Sequence, residues 1–135
     1  CLAEGSLVLD AATGQRVPIE KVRPGMEVFS LGPDYRLYRV PVLEVLESGV
    51  REVVRLRTRS GRTLVLTPDH PLLTPEGWKP LCDLPLGTPI AVPEPGKGVL
   101  WDPIVAVEPA GKARTFDLRV PPFANFVSED LVVHN

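Results

Sequence analysis

The chain of 135 residues is poor in the features that mark most specialised chains. It holds two cysteines, Cys1 and Cys82, too few for a disulfide scaffold, so a reducing interior is the expected setting. No apolar run approaches the length of a membrane span. The opening residues carry no signal-peptide pattern, and a cytoplasmic location with no membrane partner is expected. Net charge is only −2, with a sequence pI near 5.7, which excludes bulk attraction to nucleic acid. Asn and Gln are scarce and Arg outnumbers Lys, the leaning of a heat-adapted source. Proline alone is abundant. Its 16 residues are scattered, which forbids long helices and favours short strands joined by turns.

What is there reads as strand throughout, on a length that fits one domain. Residues 6–9 form a first strand before a turn at 10–14, and residues 17–22 have room for one helical turn stopped by Pro24-Gly25. Strand character returns over 26–31, and 35–46 is extended. The clearest hairpin sets Val54, Leu56 and Thr58 on one face and Arg55, Arg57 and Arg59 on the other, turns at Ser60-Gly61 and returns over 62–67. That arginine face lacks interleaved aromatics and reads as a solvated strand face, with no nucleic-acid partner. Trp78, Leu81 and Cys82 read as core. Further strands are expected over 86–92, 100–107 and 114–120, the last with Phe116, Leu118 and Val120 on one face. Residues 93–98 are the one linker-like stretch. A closing hairpin joins 125–127 to 131–134 around Ser128-Glu129-Asp130.

The chain repeats itself at an offset of sixty-two positions. Residues 18–25 line up with 80–87, Val28 with Ile90, Val45 with Val107, Gly49 with Gly111, residues 55–57 with 117–119, and Val65 with Val127. One offset held across separated stretches implies two interleaved copies of a β-rich unit about a pseudo-twofold axis. Such a closed fold can set its first and last strands side by side.

The ends carry reactive groups. An Asn side-chain amide can attack its own carbonyl carbon, close a five-membered imide and break the bond that follows. At Asn135 the preceding His134 is placed to polarise that carbonyl. The thiol of Cys1, the strongest neutral-pH nucleophile among side chains, sits one bond from the carbonyl of any residue before it. Processing at both ends is the expectation. Between them, Thr67-Pro68-Asp69-His70-Pro71 brackets a histidine with two prolines that restrict where its imidazole points.

With these stretches in view the sequence resembles an intein, a self-splicing protein of the Hint superfamily, over essentially its whole length. Residues 1–6 (Cys-Leu-Ala-Glu-Gly-Ser) resemble the amino-terminal splicing motif, and Thr67 to His70 the family's Thr-x-x-His motif. Residues 114–118 with 125–127 resemble the strand motif near the end, and Val132-Val133-His134-Asn135 the carboxy-terminal motif. The resemblance implies a mostly β Hint fold, a compact horseshoe with an internal pseudo-twofold repeat and only short helical turns. It implies that Cys1 attacks the preceding carbonyl, that His70 protonates the departing nitrogen, and that Thr67 helps hold the carbonyl. It further implies that Asp117 relays a proton near the thiol, and that Asn135 cyclises with help from His134. The partners implied are the covalently attached flanking segments, the exteins. The molecule is expected to be a monomer acting once on its own chain, with no cofactor, no metal and no homing endonuclease, as a single splicing domain over 1–135.

Two departures from the family pattern stand out. Many members carry a histidine where this chain has Ala124, which leaves His134, a water or Asp117 to activate Asn135. Where larger inteins insert an endonuclease, only residues 93–98 fill the place. The rival readings are a Hint-type domain that cleaves without joining, a small hydrolase using Cys1 and His70, and a non-catalytic β module. Host protein and downstream nucleophile are not legible.

Overall fold

The structure, a computed structural model, describes residues 1–94, 96 and 98–134. Proline-punctuated, Val- and Leu-rich sequence yields strands and almost nothing else. The first half contributes β1 (Leu2–Ala3), β2 (Leu7–Leu9), β3 (Arg16–Pro18), β4 (Glu27–Leu31), β5 (Leu37–Pro41), β6 (Glu44–Thr58) and β7 (Thr63–Leu66). The second contributes β8 (Pro71–Thr74), β9 (Gly77–Pro80), β10 (Pro89–Glu94), β11 (Gly98–Arg119), β12 (Asn125–Ser128) and β13 (Leu131–His134). Among the described residues, the only helical pieces are single 3-10 turns at Ile19–Lys21 and Leu81–Asp83.

The spine is the antiparallel ribbon of β6 and β11, to which β7, β1 and β10 add in the order β1-β7-β6-β11-β10. A second sheet runs β3-β2-β12-β13-β8-β9, and β4 and β5 form a separate hairpin. The expected repeat is built into the register. Moving each partner of the pair Asp117↔Leu46 by sixty-two positions, one forward and one back, gives Glu108↔Arg55, which is also a pair. The two hairpins Glu27↔Pro41 and Pro89↔Pro103 correspond in the same way. So do Gly49 and Gly111, at φ 79° and 78°, each beside a register shift where the ribbon bends. A left-handed backbone suits only glycine there without strain. Between β2 and β8 the offset slips by two. Ser6 gives its carbonyl to the Ile19 N–H at 2.8 Å, while His70 gives its own to Leu81 at 3.0 Å.

Equivalent positions also share the core. Ile19 and Leu81, Val28 and Ile90, Leu56 and Leu118, and Leu64 and Phe126 are all buried in one cluster. Each such side chain contributes about 1.5–3 kcal/mol by leaving water.

Several expectations are corrected. Cys82 is exposed rather than core, because the 3-10 turn that drives Leu81 inward rotates the next residue out. Trp78 is half-buried, packed on the small cluster of Leu31, Leu73, Ala91 and Val132. Leu86 is 65 % exposed in a turn with Gly87, so that strand starts at Pro89. The stretch 93–98 is no linker in its described part: Pro93 pairs with Val99 and Glu94 with Gly98, while residues 95 and 97 lie outside the described residues. The 35–46 stretch breaks between Pro41 and Glu44. Strands expected over 100–107 and 114–120 are one continuous strand of 22 residues. The β8–β9 hairpin is hidden in sequence by its prolines, yet Pro71 pairs with Pro80 at the strand ends, where little donor capacity is lost. Arg55, Arg57 and Arg59 are exposed, as a solvated face requires.

Candidate functional site

A strand of two residues sets the site. Leu2 of β1 pairs with Phe116 of β11 and with Leu66 of β7, so Cys1 emerges between Asp117 and Thr67, the next residues along. Leu2 is fully buried and anchors this junction, and Thr67 N–H donates to the Cys1 carbonyl at 2.9 Å. After Leu66 the chain turns, with His70 N–H donating to the Thr67 carbonyl at 3.1 Å. The 3-10 turn at Leu81 braces that loop: Leu81 N–H donates to the His70 carbonyl and Cys82 N–H to the Pro68 carbonyl, at 3.0 and 2.8 Å.

Three side chains converge on Cys1. His70, 3 % exposed, places Nδ1 at 2.5 Å from the Cys1 nitrogen. The Thr67 hydroxyl lies 3.2 Å from the same nitrogen and 3.4 Å from the Cys1 carbonyl oxygen. The Cys1 thiol donates to Asp117 Oδ2 at 3.0 Å, and Asp117 Oδ1 lies 3.7 Å from the Cys1 nitrogen. That nitrogen is an ammonium here and stands where the scissile amide nitrogen lies when a residue precedes Cys1.

Burial pushes His70 down to about 4, helped by the Cys1 ammonium and opposed by Asp117. Burial also lowers the Cys1 ammonium, against the pull of Asp117 and Asp69. Burial thus disfavours the proton on both groups, and the 2.5 Å separation puts His70 Nδ1 within direct proton-transfer reach of the Cys1 nitrogen. Sequence reasoning gave no role to Asp69 or Arg51, whose charges both act on the Cys1 nitrogen. Asp69 lay inside the Thr67–His70 motif and was readable as a neighbour; Arg51, fifty residues away in the chain, was not.

The depressed imidazole makes stability depend on pH. His70 titrates below its unfolded value of about 6.5, so the unfolded chain binds the proton more tightly. Its contribution is fully present above about 6.5 and is lost as pH falls through about 4. Urea unfolding of the chain at pH 7 and pH 4 is expected to show a loss larger by about 3 kcal/mol than in His70→Gln. Equal losses in the two proteins would contradict the assignment.

The closing hairpin delivers His134. Glu129 and Asp130 take φ of 51° and 59° to turn it, and tie it down: Glu129 Oε1 accepts from Leu7 N–H at 2.8 Å and Asp130 pairs with Arg16 at 3.0 Å. Asn125, opposite His134 in the ladder, is buried, with a role that sequence reasoning left unassigned. Its side chain accepts from Leu31 N–H at 2.7 Å and donates to the Leu31 carbonyl at 2.9 Å, stitching β12 to β4. The signal was an amide in an otherwise apolar strand, since a buried amide must be paired. Val133 pairs with Leu72, which sets His134 opposite Pro71 and runs β13 toward His70. The His134 backbone accordingly acts on the His70 ring. The structure therefore brings Cys1, Thr67, His70 and Asp117 together with His134 alongside; Asn135 lies outside the described residues. Ala124, at φ 59°, offers only a methyl group.

The chain matches no family model. It is 38% identical to a mini-intein variant of Ssp DnaB over 98% of its own length and 92% of that chain, with a TM-score of 0.94. It is 36% identical to a DnaB intein from Synechocystis sp. PCC 6803, covering 98% and 96%, again with a TM-score of 0.94. Over 96 residues it is 40% identical to the replicative DNA helicase DnaB of Rhodothermus marinus, 69% of this chain but 10% of that protein. The chain thus matches about a tenth of the length of that curated relative.

Proposed function

The chain belongs to the inteins, protein-splicing elements of the Hint fold, and from that premise we propose that it excises itself from a longer polypeptide and joins the two flanks. The observation that carries this reading is that both reacting heteroatoms of Cys1 are already paired, nitrogen with His70 and sulfur with Asp117.

In the upstream step the thiol passes its proton to Asp117 and the sulfur attacks the preceding carbonyl carbon. The C–N bond to Cys1 breaks, the nitrogen takes a proton through His70 Nδ1, and a thioester remains. Thr67 holds the nitrogen in line. The first side-chain nucleophile of the downstream flank then takes the acyl group from sulfur, and Cys1 regains its proton. In the downstream step the Asn135 amide nitrogen attacks its own carbonyl carbon and the following peptide bond breaks. Its proton goes to the departing amine, with His134 polarising the carbonyl. The freed amine finally attacks the ester or thioester joining the flanks and restores a peptide bond. Every bond formed replaces one broken, so no cofactor or metal has a task.

The partners are the attached flanks, and a DnaB-like helicase is the host class that the relatives favour. No helix among the described residues is long and apolar enough to cross a membrane, and the net charge of −2 fits a cytoplasmic monomer that does not bind nucleic acid. The pairing of Glu94 with Gly98, at the point where larger inteins carry an endonuclease, supports reading residues 1–135 as one splicing domain.

Expression between two unrelated proteins, followed by intact-mass measurement, tests the reading. The expected result is one mass for the joined flanks and one for the free chain. Separate flanks without a joined species would instead indicate cleavage only, and a single intact precursor would leave no catalytic role.

A further inference from the structure

Trp78 has no part in the steps above, yet its ring centroid lies 5.0 Å from that of His134, with the planes at 80°. The sheet register explains the contact. Trp78 pairs with Leu73 on β8, and Val133 on β13 pairs with Leu72, so Trp78, Leu73, Val132 and His134 share one face. Trp78 is held from behind by the cluster of Leu73 and Val132 and reaches across β8 to the imidazole. On its other side His134 faces Asn125, whose side chain is locked to β4. An aromatic edge contact at this distance favours one rotamer of the imidazole.

We propose that Trp78 is a positioning residue for the downstream step, holding the His134 imidazole in one orientation. This rests on the assistance assigned to His134.

The test uses the chain carrying Cys1→Ala and a downstream reporter, so that downstream release is read alone; thiol-induced upstream release is read in a separate chain carrying Asn135→Ala. Trp78→Ala is expected to slow downstream release about tenfold and change upstream release by less than about twofold. Trp78→Phe restores most of the rate, because it keeps an aromatic edge. Added to His134→Ala, Trp78→Ala costs less than about twofold, the mark of one shared interaction. Equal slowing of both steps, or full additivity with His134→Ala, overturns the proposal in favour of a general packing role. A slow His134→Ala chain beside a fully active Trp78→Ala chain overturns the proposal alone. A fully active His134→Ala chain overturns the reading of His134 and the proposal with it.

Discussion

Replacing Asn135 by Ala in the flanked chain is expected to leave the downstream flank permanently attached while the upstream flank is still released by added thiol. Replacing Cys1 by Ala is expected to do the reverse, and neither variant yields joined flanks. The size of each loss follows from chemistry rather than from packing. Alanine has no amide with which to close an imide and no thiol with which to take an acyl group, so each blocked step falls by about 10⁶-fold or more, to the background rate of amide cleavage. The steps separate because the groups that serve them do: Thr67 and Asp117 flank Cys1 through β7 and β11, while His134 arrives on β13 from the other sheet. Intact-mass measurement with and without thiol reads both outcomes. Joined product from either variant would refute the assignment of these two residues.

The second large effect is expected at His70. Removing its imidazole by His70→Ala leaves the Cys1 nitrogen without the one group that can hand it a proton at 2.5 Å. Removing a positioned general acid or base costs about 10²–10⁴-fold, and thiol-induced upstream release is expected to fall within that range. In the flanked chain the Cys1 nitrogen is an uncharged amide, so the ammonium that helps push His70 down is gone. The imidazole then titrates higher than in the structure described, closer to the pH at which donating a proton is easy. Burial still holds it below its ordinary value. The upstream rate should therefore fall as pH rises through a single ionisation that His70→Ala abolishes. A rate and pH profile unchanged in that variant would remove His70 from the mechanism.

Most of the strand pattern and the groups around Cys1 could be read from the residues, because both are written locally. Alternation at Val54 to Arg59 survives as one buried and one exposed face, and prolines on either side of His70 mark a fixed loop. What could not be read depends on pairing between distant segments. Whether Cys82 faced in or out was decided by a 3-10 turn bracing the 67–70 loop. Pro71 and Pro80 read as strand breakers until their pairing at the ends of a hairpin is seen. Trp78 read as core because its size argues for burial, whereas its edge is spent on an imidazole two strands away. Arg51 reaches the Cys1 nitrogen only by its field, and no local pattern reports that.

The interchangeable register of β6 and β11 bears on ancestry. A half-length polypeptide meeting its own copy would find most of the pairing that the present chain makes within itself, so fusion of duplicated genes would preserve most of the ribbon. Duplication also creates twin locations, and only one became reactive: opposite His70 and Asp117 stand Ser6 and Arg55, with neither an imidazole nor a carboxylate. The second copy supplies the imidazole and the carboxylate, and the first supplies the Cys1 that they meet.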